Sequence, residues 1–313
     1  MPEGDTIYKT AAALRTALVG KPSSVTLAPR NCDILPGDGC AVEEVRNKGK
    51  HIEIVWDDGV ALHTHMRMTG SWHLYRPGEK WRKAENKARF VIETEDWVAV
   101  CFSAPVVDTY RDDGWRRHPF AGQLGPDLCD PRTNLHECAR RALAYHDPEA
   151  TIAEVLLDQR VMCGIGNVFR CEILWATEVS PRARVGSLAE STAIEIVETA
   201  ARLLRANLKN AGRVTVPGVP GGVAVYGRNG KSCLRCKGVV QVRRDGEHAR
   251  ILYWCPQCQK RHVPRPRADD SDPIVRMIDS HPVASDFLRD LAQYRPLTLD
   301  HDGAVIDPDE LAG

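Results

Sequence analysis

The chain has little of what membrane-bound and secreted proteins carry. No uninterrupted apolar run approaches the ~18 residues that a membrane-spanning helix needs, and the amino terminus has no basic-then-apolar signal pattern. We therefore expect neither a membrane protein nor a secreted one, and we place the chain in the cytoplasm. Its 313 residues, 43% of them apolar and 27% charged, suffice for two domains and a small third.

Net charge is the second property that the sequence lacks. The 42 lysines and arginines are balanced by 42 acids, whereas nucleic-acid-binding proteins are usually basic. The average conceals two segments of opposite sign. Residues 211–267 carry 12 basic side chains and two acids, and residues 268–313 carry three arginines and 11 acids. The neutral total therefore does not exclude a nucleic-acid partner.

The eleven cysteines do not predict a disulfide framework, because their number is odd and they are scattered along the chain. Seven of them are interpreted as small buried hydrophobes or free thiols: Cys32, Cys40, Cys101, Cys129, Cys138, Cys163 and Cys171. The other four form two C-x2-C pairs separated by 18 residues: Cys233, Cys236, Cys255 and Cys258. This spacing is typical of a structural zinc ribbon, whose four thiolates leave no open coordination position. No catalytic metal or organic cofactor is expected.

Hydrophobic patterning predicts an α+β, multi-domain chain. A helical period over residues 5–19 is followed by short strand-like runs at 51–56, 60–65, 89–94 and 97–102, which predict an antiparallel β-sandwich or barrel. Glycines and prolines at 111–134 indicate a linker, and helical patterns follow, one of them from Thr151 to about Gln159. The predicted domains are 1–125, 126–225, the zinc finger 226–263 and an acidic tail 264–313.

The first residues offer a compact catalytic pair. If Met1 is removed, Pro2 presents a free secondary amine next to the carboxylate of Glu3. Such an amine can attack an electrophilic carbon and form an iminium while the acid moves protons. The alternative is that Pro2 only reflects processing and that Glu3 is an ordinary acid leading into a helix.

A second motif joins two predicted helices. Gly164-Ile165-Gly166-Asn167 permits close backbone approach, and the N–H groups that open the next helix could bind a phosphate. A tight helical corner with Asn167 as its N-cap is the alternative. Basic residues around the cysteine pairs, Arg228 and Arg250 among them, could neutralise further phosphates or form a solvated face.

Taken together, these features resemble the formamidopyrimidine-DNA glycosylase and endonuclease VIII family of DNA repair enzymes over about residues 1–263. The resemblance implies a β-sandwich with a leading helix, a helical domain with a helix-two-turn-helix, and a four-cysteine zinc ribbon. It implies that Pro2 is the nucleophile at C1′ of the damaged nucleotide and that Glu3 is the acid. Lys50, Asn167 and Arg250 match the family's phosphate-binding lysine, hairpin asparagine and finger arginine.

The resemblance also places a void-filling loop at residues 66–69, with Met68 as the apolar wedge beside Arg67. A buried core methionine is the alternative for Met68. Asp5-Thr6 departs from the usual Pro-Glu pair and is similar to the branch that begins M-P-E-G-D-T. The stretch 211–225 is short for the base-capping loop of the purine-specific members. This short stretch, together with Met1–Gly4, favours oxidised pyrimidines as the lesion.

The predicted function is a bifunctional DNA glycosylase and AP lyase that cuts by β,δ-elimination. An oxidised-purine glycosylase, a non-catalytic damaged-DNA-binding protein and a zinc-ribbon transcription or RNA factor are the alternatives. The expected partner is damaged double-stranded DNA, with single-stranded or bubble DNA left open, and the expected state is a monomer. The acidic tail is either a solvated segment, a DNA mimic that contacts the chain's own basic face, or a docking site for a repair partner.

Overall fold

The computed structural model describes residues 2–111, 123–210, 212–245 and 250–263, together with the backbone of 298–299 and 305–306. The chain divides into two compact units, Met1–Val263 and Pro264–Gly313. In the first unit a leading helix and a β-sandwich are followed by a helical half and a two-stranded finger. Within the described residues, no helix is long and apolar enough to cross a membrane.

The leading helix α1 spans Gly4–Leu18. Its residues Ile7, Leu14 and Leu18 are buried and recur with the helical period that the sequence predicts. This apolar face packs on the first sheet, and the next residues turn away at Gly20, which has a φ of +77°. The amino terminus of α1 is thereby held at a fixed place against the β-sandwich.

Eight strands form two antiparallel four-stranded sheets. One has the order β2-β3-β4-β8 and the other β1-β6-β7-β5. Ile52, Ile54 and Trp56 of β3 alternate into the core between the sheets and α1, which explains why their period of two predicts a strand. The strands are β1 Ser24–Leu27, β2 Val42–Lys48, β3 His51–Trp56, β4 Val60–His65, β5 Ser71–Tyr75, β6 Ala88–Glu93, β7 Val98–Phe102 and β8 Val106–Arg111.

The helical half comprises α2 Leu135–Leu143, α3 Ile152–Val155, α4 Asn167–Ala176 and α5 Glu190–Ala206 around one apolar core. The capping box predicted at Thr151 is present, with Glu154 as its partner. The prediction that this helix continues to about Gln159 is wrong. After Val155 the backbone tightens to i→i+3 bonds such as Asp158 N–H to Val155 O, because the chain must turn toward the glycine hairpin.

The finger is a hairpin of β9 Gln241–Asp245 and β10 Arg250–Trp254, in which Leu252 pairs with Arg243. In the second unit only β11 Thr298–Leu299 and β12 Val305–Ile306 are described. The sequence also predicts helices at 274–278 and 287–294, and both ranges lie outside the described residues. The fold class predicted from the sequence, a leading helix and β-sandwich followed by a helical domain and a four-cysteine finger, is confirmed.

The eleven cysteines, all of them in the described part of the chain, form no disulfide. Of the seven outside the finger, six are buried and Cys40 is half-buried. Burial raises the pKa of Cys138 and Cys171 to about 11 and that of Cys101 still further, so these thiols are poor nucleophiles near neutral pH.

Candidate active site

The Glu3 carboxylate is fully buried and lies at the amino-terminal end of α4. Its Oε1 accepts a hydrogen bond from the Val168 N–H at 2.8 Å, and its Oε2 accepts from the N–H groups of Gly166 at 3.1 Å and Phe169 at 3.2 Å. The positive end of the α4 dipole faces the same carboxylate. The amides that the sequence suggested for a phosphate therefore bind Glu3, and this fixes the side chain next to the half-buried Pro2.

The two glycines of the hairpin are required for separate reasons, Gly166 by its contact with Glu3 and Gly164 by its positive φ. A Cβ at Gly166 would lie 2.6 Å from Glu3 Oε1, closer than real side-chain contacts. Gly164 has a φ of +108°, and its carbonyl accepts a hydrogen bond of 2.8 Å from the Gly4 N–H. Residues 3 and 4 are thus bonded to the helical half although they belong to the sandwich by sequence.

A second charged pair lies beside Glu3. The Arg213 Nη2 donates to Asp5 Oδ1 at 2.6 Å and its Nε to Asp5 Oδ2 at 3.2 Å, while Nη1 lies 3.9 Å from Glu3 Oε1. Asp5 is only 1% exposed. Sequence reasoning left the role of Asp5 open and missed Arg213, because the two residues are 208 positions apart and belong to no common motif.

Lys50 follows a tight turn between β2 and β3. Gly49 in this turn has a φ of +58°, and its N–H donates to Asp127 Oδ2 at 2.7 Å, which ties the turn to the helical half. The pKa of Lys50 is lowered to about 8, mainly because the surrounding protein removes water from its ammonium group. The charge of Glu3 opposes this change and the charge of Arg250 adds to it, so the pKa of Lys50 depends on both residues.

Three histidines from β3 and β4 form a cluster, and one of them, His65, interacts electrostatically with Lys50. The His51 Nδ1 and His63 Nε2 atoms are 2.8 Å apart, and the ring centroids of His51 and His65 are 4.5 Å apart. Burial first, and then the charges of Lys50 and Arg67, lower the pKa of His65 to about 4. His65 is therefore neutral near pH 7 and can donate a hydrogen bond without adding charge.

Asn167 joins α4 to the finger. Its Nδ2 donates to the Ile251 carbonyl at 2.8 Å, and the buried Arg170 donates from Nη2 to the same carbonyl at 3.3 Å and to Asn167 Oδ1. These bonds fix the residue that follows Arg250 at the start of β10, where the Arg250 side chain is exposed. Asn167 thus reaches the finger backbone directly.

The loop after β4 presents Met68 to solvent. Met68 is 69% exposed, whereas Met66 is 2% exposed and supplies the buried methionine of this loop. The Gly70 N–H donates to the Met66 carbonyl at 2.8 Å, and Arg67 takes a positive φ of +43° at the exposed bend. Arg228, the remaining residue predicted to bind DNA, donates to the Ser232 carbonyl at 3.0 Å within the finger.

The four finger cysteines converge. All four sulfur atoms lie within 4.8 Å of one another, with Cys233 and Cys258 3.7 Å apart and Cys236 and Cys255 3.5 Å apart. Zn–S bonds of about 2.3 Å in a tetrahedron place sulfur atoms ~3.8 Å apart. The donor set and its spacing therefore fit one structural zinc ion.

Glu172 was also missed by sequence reasoning. Its buried carboxylate accepts hydrogen bonds from the N–H groups of Ala224 at 2.7 Å and of Val225 and Tyr226 at 2.9 Å each, and from the Thr215 hydroxyl. It therefore holds the connection between α5 and the finger against α4. An acid inside an apolar helical stripe is the only signal in the sequence, and it does not reveal the partners.

Comparisons with known proteins agree with this architecture. The family model described as "Formamidopyrimidine-DNA glycosylase N-terminal domain" matches residues 1–105, and that described as "Formamidopyrimidine-DNA glycosylase H2TH domain" matches residues 124–217. The chain therefore belongs to the formamidopyrimidine-DNA glycosylase and endonuclease VIII family, whose members are DNA glycosylases and AP lyases, as the resemblance predicted.

Two relatives match nearly their whole length. A Streptomyces coelicolor protein named "Probable endonuclease 8 2" is 37% identical, over 85% of this chain and 96% of the relative. The "DNA-(apurinic or apyrimidinic site) lyase Nei2" of Mycolicibacterium smegmatis is 36% identical, over 83% and 99%. A solved structure of the Lactococcus lactis glycosylase with abasic DNA covers 83% of this chain and 100% of that one, with a TM-score of 0.67. At 18% identity it supports the fold.

Proposed function

We propose that the protein is a bifunctional DNA glycosylase and AP lyase in which Pro2, exposed by removal of Met1, attacks C1′ of a damaged nucleotide. The observation that carries the proposal is the buried carboxylate of Glu3, the residue that follows Pro2, which three backbone N–H groups of the hairpin and α4 hold in place. A carboxylate fixed in this way next to a secondary amine can move protons during covalent catalysis.

The chemistry balances with these two groups. The Pro2 nitrogen forms a bond to C1′, the glycosidic bond breaks, and the base leaves after taking a proton from solvent. Glu3 passes the amine proton to O4′ as the C1′–O4′ bond breaks, which leaves a positively charged iminium between Pro2 and C1′. Loss of the C2′ proton then expels the 3′ phosphate, a second elimination expels the 5′ phosphate, and water releases the enzyme.

The proposed DNA grip consists of Lys50, Asn167 and Arg250. Lys50 and Arg250 interact electrostatically, and the buried Asn167 bonds the Ile251 carbonyl next to Arg250, so the three residues lie near one another. Two cations held there would neutralise the phosphates on either side of an extruded nucleotide. Arg67 and Arg228 are proposed as weaker phosphate contacts. A zinc ion held by the four cysteines would fix the finger that carries Arg250.

Met68 is the proposed wedge that fills the space left by the extruded base. Its 69% exposure supports this role over that of a core methionine, because Met66, and not Met68, is the methionine of this loop that packs in the core. Met68→Ala should reduce base excision and DNA bending, with little effect on the melting temperature. If excision and bending both stay at the wild-type level, Met68 is not the wedge.

The proposed lesions are oxidised pyrimidines in double-stranded DNA. Two observations support them: the connection that Glu172 holds between α5 and the finger is short, and the relatives above are named as endonuclease 8 enzymes or Nei2. Oxidised purines are the second candidate, because several similar folds were solved with formamidopyrimidine-containing DNA. We propose that the protein acts as a monomer in the bacterial cytoplasm.

Borohydride trapping tests the covalent step. The processed protein should form a reducible adduct with abasic DNA, and a variant with extra residues ahead of Pro2 should bind this DNA without forming the adduct. A panel of duplexes with oxidised pyrimidines, formamidopyrimidines and 8-oxoguanine then ranks the lesions. If the processed protein binds this DNA tightly and forms no adduct, the protein is a non-catalytic damaged-DNA-binding protein and the proposed enzyme activity is wrong.

A further inference from the structure

The Asp5–Arg213 pair has no role in the chemistry described so far, although it is nearly buried beside Glu3. The two hydrogen bonds to Asp5, at 2.6 and 3.2 Å, hold the guanidinium in a bidentate arrangement, and its side chain is only 15% exposed. The same guanidinium lies 4.8 Å from the Phe169 ring centre, so it also packs on the first turn of α4. Arg213 is therefore fixed from two sides.

The position of Arg213 relative to Glu3 depends on Asp5. The Arg213 Nη1 and Glu3 Oε1 atoms are 3.9 Å apart, which is too long for a hydrogen bond but short enough for a strong electrostatic attraction. Because Asp5 takes the two direct hydrogen bonds, it keeps the cation from approaching Glu3 further. Asp5 thereby limits how strongly Arg213 stabilises negative charge on Glu3.

The other titratable groups near Glu3 are Lys50, Tyr226 and Cys171. Burial raises the pKa of the Cys171 thiol to about 11 and raises the pKa of Tyr226, so both are neutral near pH 7. Lys50 belongs to the proposed DNA grip, and the charge of Arg250 in the finger lowers the pKa of Lys50. A bound phosphate changes the charge at Lys50, whereas the Asp5–Arg213 pair remains a constant influence on Glu3.

We infer that Arg213, held by Asp5, is a positioning residue that sets the pH at which the Pro2–Glu3 pair becomes active. The inference rests on the proposed function, because it requires the amine and the carboxylate to exchange a proton. A nearby cation favours loss of a proton from either group, and a nearby anion opposes it, so the sign of the effect does not depend on which group titrates.

Two substitutions should therefore act in opposite directions. Arg213→Gln removes the cation and leaves the Asp5 carboxylate near Glu3, so the acid side of the pH–rate profile should move to higher pH. Asp5→Asn releases Arg213 toward Glu3, so the acid side should move to lower pH. Each shift should be about one pH unit, the usual size for a close charge. Arg213→Lys keeps the charge and should restore most of the wild-type profile.

The experiment measures single-turnover base release from pH 5 to 9 with the lesion duplex that the wild type cleaves fastest. Arg205→Gln is the matched control, since Arg205 is also partly buried and donates to the Leu128 and Asp130 carbonyls at 3.0 and 2.7 Å. It should leave the profile unmoved. Thermal unfolding checks each variant, and if Arg213→Gln does not fold, Asp5→Asn decides alone.

Shifts of opposite sign support the inference. Profiles that do not move, or that move the same way in both variants, overturn it and leave Arg213 and Asp5 as structural residues. With Asp5→Asn alone, only a shift to lower pH counts as support. Failure of the proposed function is seen separately, because the wild type itself would then neither release a base nor form a borohydride-stable adduct.

Discussion

Gly166 shows how the carboxylate of Glu3 is accommodated between the two halves of the first unit. Gly166→Ala would push a methyl group against the Glu3 side chain, since the added Cβ would lie 2.6 Å from Oε1. We expect base excision to fall by at least about a hundredfold, because small misplacements of catalytic groups cost this much.

Gly212→Ala is the matched control for this substitution, since nothing lies within 4 Å of a Cβ added at Gly212. It should retain wild-type activity in the same single-turnover assay. Wild-type excision by Gly166→Ala would mean that the observed Glu3 position is not needed for catalysis.

Lys50 should make DNA binding depend on pH. Its pKa of about 8 means that it loses its proton over the range in which most lysines remain charged. A bound phosphate favours the protonated form, so binding takes up a proton above pH 8 and weakens as the pH rises. The Kd for a duplex with an uncleavable abasic analogue should increase by up to about tenfold from pH 8 to 9.

Lys50→Arg provides the comparison, because arginine stays charged throughout this range. The variant should bind with a Kd that is nearly constant from pH 7 to 9 at fixed ionic strength. An equally steep pH dependence in the variant would assign the titration to another group.

The sequence identifies residues whose role follows from local spacing. Pro2 and Glu3 are adjacent, and the hairpin glycines with Asn167 form one continuous motif. Arg213 and Glu172 could not be assigned, because each acts through partners that only the tertiary fold brings near it. The hydrogen-bond acceptor of the hairpin amides was also missed. The sequence suggested a phosphate, and it does not show that the Glu3 carboxylate accepts these bonds instead.

At the level of elements, the finger has too small a core to fold without its cysteines. Its apolar core includes Val240 and Leu252 with the sulfur ligands, and β9 and β10 have five residues each. Removal of zinc with a strong chelator should therefore unfold the finger, abolish DNA binding and leave the helical core intact. Metal analysis should find one zinc per chain, and added zinc should restore binding.

Cys236→Ser tests the same point without a chelator. It should lower zinc content and DNA affinity together, whereas Cys40→Ser, at a half-buried thiol outside the finger, should change neither. Full DNA binding by a zinc-free protein would show that the finger does not depend on the metal.

The predicted elements differ in how well local pattern defines them. In β3, Ile52, Ile54 and Trp56 alternate into the apolar core as their period of two predicts, although nearly every residue of β3 and β4 is buried. Helix α3 begins at its predicted cap but ends early, because the capping box fixes only the start. The helix ends where the chain turns toward Gly164, and this turn depends on tertiary contacts that no local sequence pattern predicts.

On the scale of the whole molecule, the charge separation predicts an effect of the acidic tail. Residues 211–267 have 12 basic side chains against two acids, and residues 268–313 have three against 11. If the tail competes with DNA, deleting 268–313 should tighten DNA binding at low salt, and the difference should shrink as salt screens the charges. Identical affinities for both chains across the salt range would rule out competition.

The bonds from Glu3 and Gly4 to residues 164–169 also have a consequence for synthesis. Their partners leave the ribosome long after the amino terminus, and at about 5–20 residues per second the delay is roughly 10–30 s. During this interval Glu3 cannot be buried at its final place, and an aminopeptidase has access to Met1. Because the chain is translated in this order, Met1 can be removed from the proposed nucleophile Pro2 before Glu3 is buried against α4.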